Sequence, residues 1–152
     1  MAQKSLVIFL LVAIIKVTSI AEAQSPLGLV HVNGTLYCTP NGSSGANGNT
    51  TPVFPNAVVQ VTCAAYVVAN SPSNAATTTT GEYRVVLIPR PDATVASIVS
   101  NCRIFVPTPL SNCNPVLPSS AGLVSNLRFV RTVSISFSRV TYIVAAGFTV
   151  QT

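Results

Sequence analysis

The chain has 152 residues, of which 49% are hydrophobic and only 7% are charged, and its formal net charge is +5. Globular proteins typically carry about 25% charged residues, so this surface depends on neutral polar groups. The high apolar fraction excludes an intrinsically disordered chain. One histidine and three carboxylates leave few groups for acid–base catalysis.

The N-terminal segment has the pattern of a secretory signal peptide. Lys4 precedes an unbroken apolar run over residues 6–15, and small alanines end at Ala23. The ten-residue run would rise only about 15 Å, whereas a bilayer core is about 30 Å thick. We therefore predict that residues 1–23 are a signal peptide, that residues 24–152 form one secreted domain, and that no segment inserts across a membrane.

A first strand is predicted over residues 30–38. Apolar side chains recur there at alternate positions, as in a half-buried strand: Val30, Val32, Leu36 and Cys38. His31 falls on the other face, so we expect a half-exposed histidine without a catalytic partner.

The next segment, residues 39–50, is a predicted loop, because almost all of it consists of turn-forming residues. Three Asn-x-Ser/Thr triplets begin at Asn33, Asn41 and Asn49. Glycosylation requires an exposed acceptor, so Asn41 and Asn49 are expected to be better acceptors than Asn33, which lies in a strand. Sugars would help to keep a charge-poor domain in solution.

The central part of the chain predicts two strong strands. Residues 57–63 alternate, with one face formed by Ala57, Val59, Val61 and Cys63. Residues 64–69 are expected to continue in the sheet, and residues 77–80 to form an exposed edge that leads to a turn at Gly81. Residues 82–88 form the second strand, with Tyr83, Val85 and Leu87 pointing inward and Arg84 toward solvent.

One short helix is predicted, with Asp92 as its cap and apolar residues at helical spacing: Val95, Ile98 and Val99. Residues 102–106 return to strand, and residues 107–115 form a loop fixed by a cysteine. Residues 117–126 are expected to be irregular or to form one helical turn around Gly122.

The last strands are predicted over residues 127–130 and 132–144. Their alternation changes parity at Ser138, which indicates either a bulge or a bend where the chain changes sheets. Six or seven short strands with regularly spaced turns predict an all-β fold. We expect a small antiparallel β-sandwich or barrel with one short helix and two disulfides.

Four cysteines in a secreted chain predict two disulfide bonds, formed by Cys38, Cys63, Cys102 and Cys113. A zinc site is disfavoured, because no Cys-x-x-Cys spacing occurs and His31 is the sole histidine. Four cysteines allow three pairings, and their positions alone leave all three open.

Catalytic and cofactor-binding motifs are missing from the sequence. Glu82 and Asp92 are the acidic residues of the mature segment, and an extended strand would separate them by about 30 Å. A glycosidase needs its carboxyl groups within about 5–10 Å. No phosphate-binding glycine loop or metal-binding cluster is present, so we predict a protein that is not an enzyme and needs no cofactor.

The mature segment carries a net charge of +4 from dispersed arginines: Arg84, Arg90, Arg103, Arg128, Arg131 and Arg139. Such dispersion indicates solvated surface, with a general attraction to polyanions such as pectin or microbial envelopes. Nucleic-acid binding is not expected, because basic runs with interleaved aromatic residues do not occur.

Several segments resemble a plant protein family. Gly34–Cys38, Phe54–Ala57 before Cys63, and Gly81–Tyr83 are similar to the pollen Ole e I and extensin-like domain. More narrowly, the chain resembles phylloplanins in four segments: residues 51–57, 108–114, 117–120 and 146–148. The resemblance covers about residues 30–148.

This resemblance implies nested disulfides, Cys38 to Cys113 and Cys63 to Cys102. It also implies a secreted leaf-surface glycoprotein with antimicrobial activity that inhibits spore germination or growth, located at the leaf surface, in the apoplast or in the cell wall. The alternative is a wall module that binds pectin or wall glycoproteins. A third interpretation is a carrier of a small apolar ligand.

Overall fold

The computed structural model describes residues 27–44, 51–119 and 122–151. These residues form two β-sheets, one α-helix and a short 3₁₀ turn, Leu110–Asn112. The strands are β1 (Leu29–Thr35), β2 (Val58–Cys63), β3 (Ser73–Ala76), β4 (Glu82–Leu87), β5 (Cys102–Val106), β6 (Leu123–Ser125), β7 (Leu127–Ile135), β8 (Ser138–Ala145) and β9 (Thr149–Val150). The helix, α1, is Val95–Asn101.

The four-stranded sheet has the order β4-β1-β8-β7, and the five-stranded sheet has the order β3-β2-β5-β6-β9. In the first sheet, β1 pairs antiparallel with β4 and parallel with β8. The neighbouring strands of the second sheet are all antiparallel. The predicted all-β class is confirmed. The described residues contain nine strands and not six or seven, because β3, β6 and β9 are too short to show alternation.

The core consists of apolar side chains on the buried faces of strands from both sheets. The predicted alternation of β2 and β4 is confirmed, since Val59 and Val61 of β2 and Val85 and Leu87 of β4 are buried. Phe54 is the bulkiest of the fully buried side chains, and Leu36 is also fully buried. Each such apolar side chain contributes about 1.5–3 kcal/mol when it is removed from water.

Helix α1 begins two residues later than a cap at Asp92 would place it. The N-cap is Thr94, whose Oγ1 accepts a hydrogen bond from the Ser97 N–H at 3.1 Å. The Ser97 hydroxyl oxygen in turn accepts from the Thr94 N–H at 2.8 Å. The prediction of Asp92 as the cap was wrong, because the Thr94–Ser97 spacing allows this reciprocal pair of bonds.

Two further expectations in the central region were wrong. Residues 64–69 form no strand: they contain a turn and an isolated antiparallel bridge between Val68 and Pro89. Val67 and Val68 are buried there. The edge strand is β3, which precedes residues 77–80, and Thr77 is buried and not exposed. The Thr77 hydroxyl is held inside by hydrogen bonds to backbone groups, which a sequence pattern does not display.

Residues 117–126 and the last strands also differ from expectation. The segment around Gly122 contains strand β6 and not a helical turn. The change of parity near Ser138 is neither a bulge nor a bend between sheets, because β7 and β8 form a tight hairpin in which Ile135 lies opposite Ser138. The bulge lies earlier, between Phe129 and Arg131. Reversal of the chain through two turn residues places residues of opposite parity on the same face.

Candidate interaction surface

The cysteines of the described residues are all in disulfide bonds. Cys63 and Cys102 are opposite residues on β2 and β5, with their Cα atoms 4.1 Å apart. Cys38 is bonded to Cys113, with a Cα separation of 6.0 Å, which joins the segment after β1 to the 3₁₀ turn. These pairs are the nested pairs that the resemblance implies. Their role in the structure is to link distant segments.

The three predicted glycosylation sites lie in different environments. Asn41 is exposed, and its Oδ1 accepts a hydrogen bond from the Ser43 N–H at 3.1 Å. Asn33 lies within β1 opposite Arg84, and its Oδ1 is buried. Asn49 lies outside the described residues. The geometry therefore favours Asn41 as an acceptor over Asn33.

The acidic groups do not form a recognisable catalytic arrangement. Glu82 begins β4 and Asp92 precedes α1, and both are exposed. His31 is half-buried on β1, as expected from its parity. The described segments contain no group of three or more side chains that could hold a metal ion.

The outer face of the four-stranded sheet is the side that points away from the core. Directly opposite residues on paired strands share a face. The register therefore places Val86, His31, Tyr142 and Arg131 in one row across β4, β1, β8 and β7. The neighbouring rows contain Leu29, Val140 and Val133, and Asn33 with Arg84.

The centre of this row is an aromatic cluster. The His31 and Tyr142 rings meet edge to face, with their centroids 5.7 Å apart. The guanidinium of Arg131 lies over the Tyr142 ring, 5.5 Å from its centroid, within the range of a cation–π interaction. Burial and the positive charge of Arg84 lower the pKa of His31 below its usual 6.5, because both disfavour the protonated ring.

The outer face is unusually apolar for a solvated sheet. An antiparallel sheet with one side in water normally carries polar side chains on that side. Here Leu29 is 45% exposed, Ile88, directly after β4, is 49% exposed, and Ile135 is 55% exposed. Contiguous apolar surface of this kind marks interaction sites on soluble proteins.

The β7–β8 hairpin, residues 127–145, extends this apolar surface to a tip. Phe137 in its turn is fully exposed, with a relative exposure of 104%. The hairpin carries Arg128, Arg131 and Arg139, and it contains no acidic residue. One hairpin thus carries three of the six arginines of the chain.

Sequence reasoning missed this cluster, although a signal for it exists. Asp92 is the last acidic residue of the chain, and four of the six arginines follow it. Such an asymmetry of charge between halves indicates a cationic region. What the sequence could not show is that the hairpin brings three of these arginines beside exposed apolar residues.

A cleft of about 530 Å³ lies where β4 approaches β3, and it adjoins the outer face at Asn33 and Arg84. It is lined in part by Glu82, Arg84 and the ring of Tyr83, whose pKa burial raises to about 12. The phenol therefore stays protonated under physiological conditions and offers no nucleophile. Within the described part of the chain, no helix has the length and apolar character needed to cross a bilayer.

Comparison with known proteins gives a family for this fold. The sequence matches the phylloplanin family, described as phylloplanin antifungal protein, over residues 26–152. It is 36% identical over 131 residues to phylloplanin from Nicotiana tabacum, and the alignment covers 85% of this chain and 81% of that relative. No solved structure matches. The wider relationship to the pollen Ole e I family stays a prediction. The family match spans both sheets, both disulfides and the hairpin, and the chain therefore belongs to the phylloplanin family.

Proposed function

We propose that the mature chain, residues 24–152, is a secreted, non-enzymatic defence protein that acts at the plant surface and inhibits the germination or growth of fungal spores. The observation that carries this proposal is the family match over residues 26–152, since that family is described as antifungal. Secretion is supported by the signal-peptide pattern of residues 1–23 and by the two disulfides.

The non-enzymatic part of the proposal is supported by the environment of the sole histidine. His31 packs against Tyr142 and is opposed electrostatically by Arg84, so the contacts that define its environment provide no carboxylate to orient it as a general base. Glu82 and Asp92 are exposed at the start of β4 and before α1. Inhibition would then depend on binding to a microbial component.

The composition suits a protein that is retained at a waxy, hydrated surface. The mature segment contains six arginines, two acidic residues and no lysine. The exposed apolar groups of the outer face would contact the cuticle or a microbe, and the net charge of +4 would attract anionic envelopes.

The test applies purified, disulfide-bonded mature protein to germinating fungal spores over a concentration series. We expect dose-dependent inhibition that is lost when both disulfides are reduced and alkylated. Absence of inhibition by the oxidised protein would overturn the proposal. If that result came with salt-sensitive retention on pectin, a wall-binding module would replace it. A parallel screen on glycosides, esters and peptides is expected to show no hydrolysis.

A further inference from the structure

We propose that the β7–β8 hairpin is a membrane-docking element, which inserts its apolar tip into the headgroup region of a bilayer that contains anionic phospholipids. The inference deepens the proposed function by naming its partner, and it rests on that function in identifying the bilayer as that of the inhibited microbe. Two observations support it, the chemistry of the tip and the charge of the hairpin. A third, the charge along the free edge of β7, argues against a second copy of the chain as the partner.

The two residues of the hairpin turn differ from those that two-residue turns usually contain. Two-residue hairpin turns favour asparagine, aspartate and glycine, which satisfy positive φ and remain in water. This turn contains Ser136, with a φ of 54°, and the fully exposed Phe137. Ile135 beside it is more than half exposed. A protruding aromatic and aliphatic pair fits insertion into lipid, where apolar surface leaves water without any need for a matching protein pocket.

The charge behind the tip is complementary to phosphate. Arg139 lies two residues after Phe137, and Arg131 lies about 14 Å from Ile135 along β7. Arg128 and the neighbouring Arg84 share the outer face with Arg131. Guanidinium groups bind phosphate oxygens with two parallel hydrogen bonds. The hairpin offers no carboxylate to repel an anionic surface.

A second copy of the chain is a poorer fit to the same surface. Strand β7 is an edge of its sheet, so its free backbone groups could pair with another strand. In a symmetric antiparallel pair centred on β7, however, Arg131 would face Arg131. Like charges directly opposite each other destabilise a strand pair, and the hairpin supplies no acidic residue to offset them.

The experiment uses a reporter that the chain allows, because it contains no tryptophan. Phe137→Trp places a single indole at the tip, and Val116→Trp places one at a 90% exposed position outside both sheets. Both variants are mixed with phosphatidylcholine vesicles, with and without phosphatidylserine. We expect a blue shift and quenching by brominated lipid for Phe137→Trp with the anionic vesicles, and no change for Val116→Trp.

Affinity is then measured by co-sedimentation of other variants with the same vesicles. Phe137→Ser is expected to weaken binding roughly tenfold or more, whereas Val116→Ser leaves it unchanged. Arg128→Gln is expected to weaken binding roughly fivefold, and Arg103→Gln, on the other sheet, is the control with the same loss of charge. Because Phe137 and Arg128 are exposed, these variants should keep the wild-type melting temperature.

The proposal is overturned if wild-type protein does not bind anionic vesicles. It is also overturned if the Val116 and Phe137 variants show the same fluorescence change and the same vesicle affinity. It is also overturned if ultracentrifugation shows a dimer that Phe137→Ser dissociates, since the hairpin would then be a self-interface. The vesicle assay uses no microbe. A protein that binds lipid but does not inhibit spores therefore contradicts the proposed function alone, and the converse contradicts the docking role alone.

Discussion

The hydroxyl of Thr77 joins two backbone groups that would otherwise be unpaired inside the protein. It accepts a hydrogen bond from the Ala57 N–H at 2.8 Å and donates one to the Phe54 carbonyl oxygen at 2.6 Å. Thr77 is 2% exposed. The side chain therefore fixes the entry to β2 against the segment that follows β3.

We expect Thr77→Val to lower the free energy of unfolding by about 2–4 kcal/mol. Valine has nearly the same shape, but it leaves a buried N–H and a buried carbonyl without these partners. The measurement is urea unfolding followed by circular dichroism. Thr79→Val is the matched control, since Thr79 is exposed and two residues away. Equal stability of the two variants would contradict the role assigned to the Thr77 hydroxyl.

Gly28→Ala should destabilise the junction between β1 and β8. Gly28 has a φ of 64°, and a Cβ atom there would lie 1.8 Å from the carbonyl oxygen of Arg139. The unfavourable dihedral and the backbone clash together are expected to cost at least about 2 kcal/mol. Thermal melting provides the test. Gly147→Ala, where a Cβ would meet nothing within 4 Å, should melt like the wild type.

Each disulfide should stabilise the protein through the loop that it closes. The bonded cysteines are separated by 75 residues for Cys38–Cys113 and by 39 for Cys63–Cys102. Chain entropy gives an upper figure of roughly 4 kcal/mol for each bond, and the effects of nested bonds are less than additive. Urea unfolding of paired Cys→Ala variants measures both. Non-reducing peptide mapping should recover these two links, and a Cys38–Cys63 peptide would contradict the pairing.

The stability of the protein should decrease in mildly acidic solution because of His31. The pKa of His31 is lowered in the folded state, mainly by burial and then by the charge of Arg84. The other charged group nearby, Arg131 over the Tyr142 ring, is also positive and does not raise this pKa. The unfolded chain therefore binds more protons as pH falls through 6.5, and unfolding becomes easier until the folded-state pKa is passed. The test is urea unfolding at a series of pH values between about 8 and 5, the range in which a histidine ordinarily titrates. The free energy of unfolding of His31→Gln should depend less on pH than that of the wild type.

Asn41 should carry a glycan in the native host, and Asn33 should carry little or none. The Asn41 Oδ1 is occupied by a local hydrogen bond, which leaves its exposed amide nitrogen for attachment. Asn33 lies in a paired strand with its Oδ1 buried. Site-resolved mass spectrometry before and after deglycosylation checks this. High occupancy at Asn33 would contradict it, and it would also place a sugar on the outer face.

The two strong central strands were predictable because burial on one side imposes alternation on their sequences. Strands β2 and β4 show it clearly, with Val59 and Val61 or Val85 and Leu87 on the buried side. Strand β3 shows none, since its four residues are Ser73, Asn74, Ala75 and Ala76. Its place is set by pairing with β2, a tertiary effect that local sequence does not encode.

The candidate surface was less predictable than the fold. Each residue of the outer face looks ordinary in sequence, where single exposed apolar residues need no explanation. The surface can be recognised only when the register of the strands is known. That register places Arg131 opposite Tyr142, and Tyr142 opposite His31, across three strands. The hairpin was misread because a parity change has the same appearance whether a strand bulges or the chain turns back.

The parallel pairing of β1 with β8 has a consequence for the order of assembly. Strand β1 lies between β4 and β8, so one of its edges has no partner until residue 145 has been synthesised. The other sheet can pair β2, β3 and β5 much earlier, since they lie within residues 58–106. Contacts of such long sequence separation form slowly. The three strands β3, β2 and β5 are therefore expected to pair first around the Cys63–Cys102 bond. Completion of both sheets follows later, because β8 and β9 lie near the end of the chain.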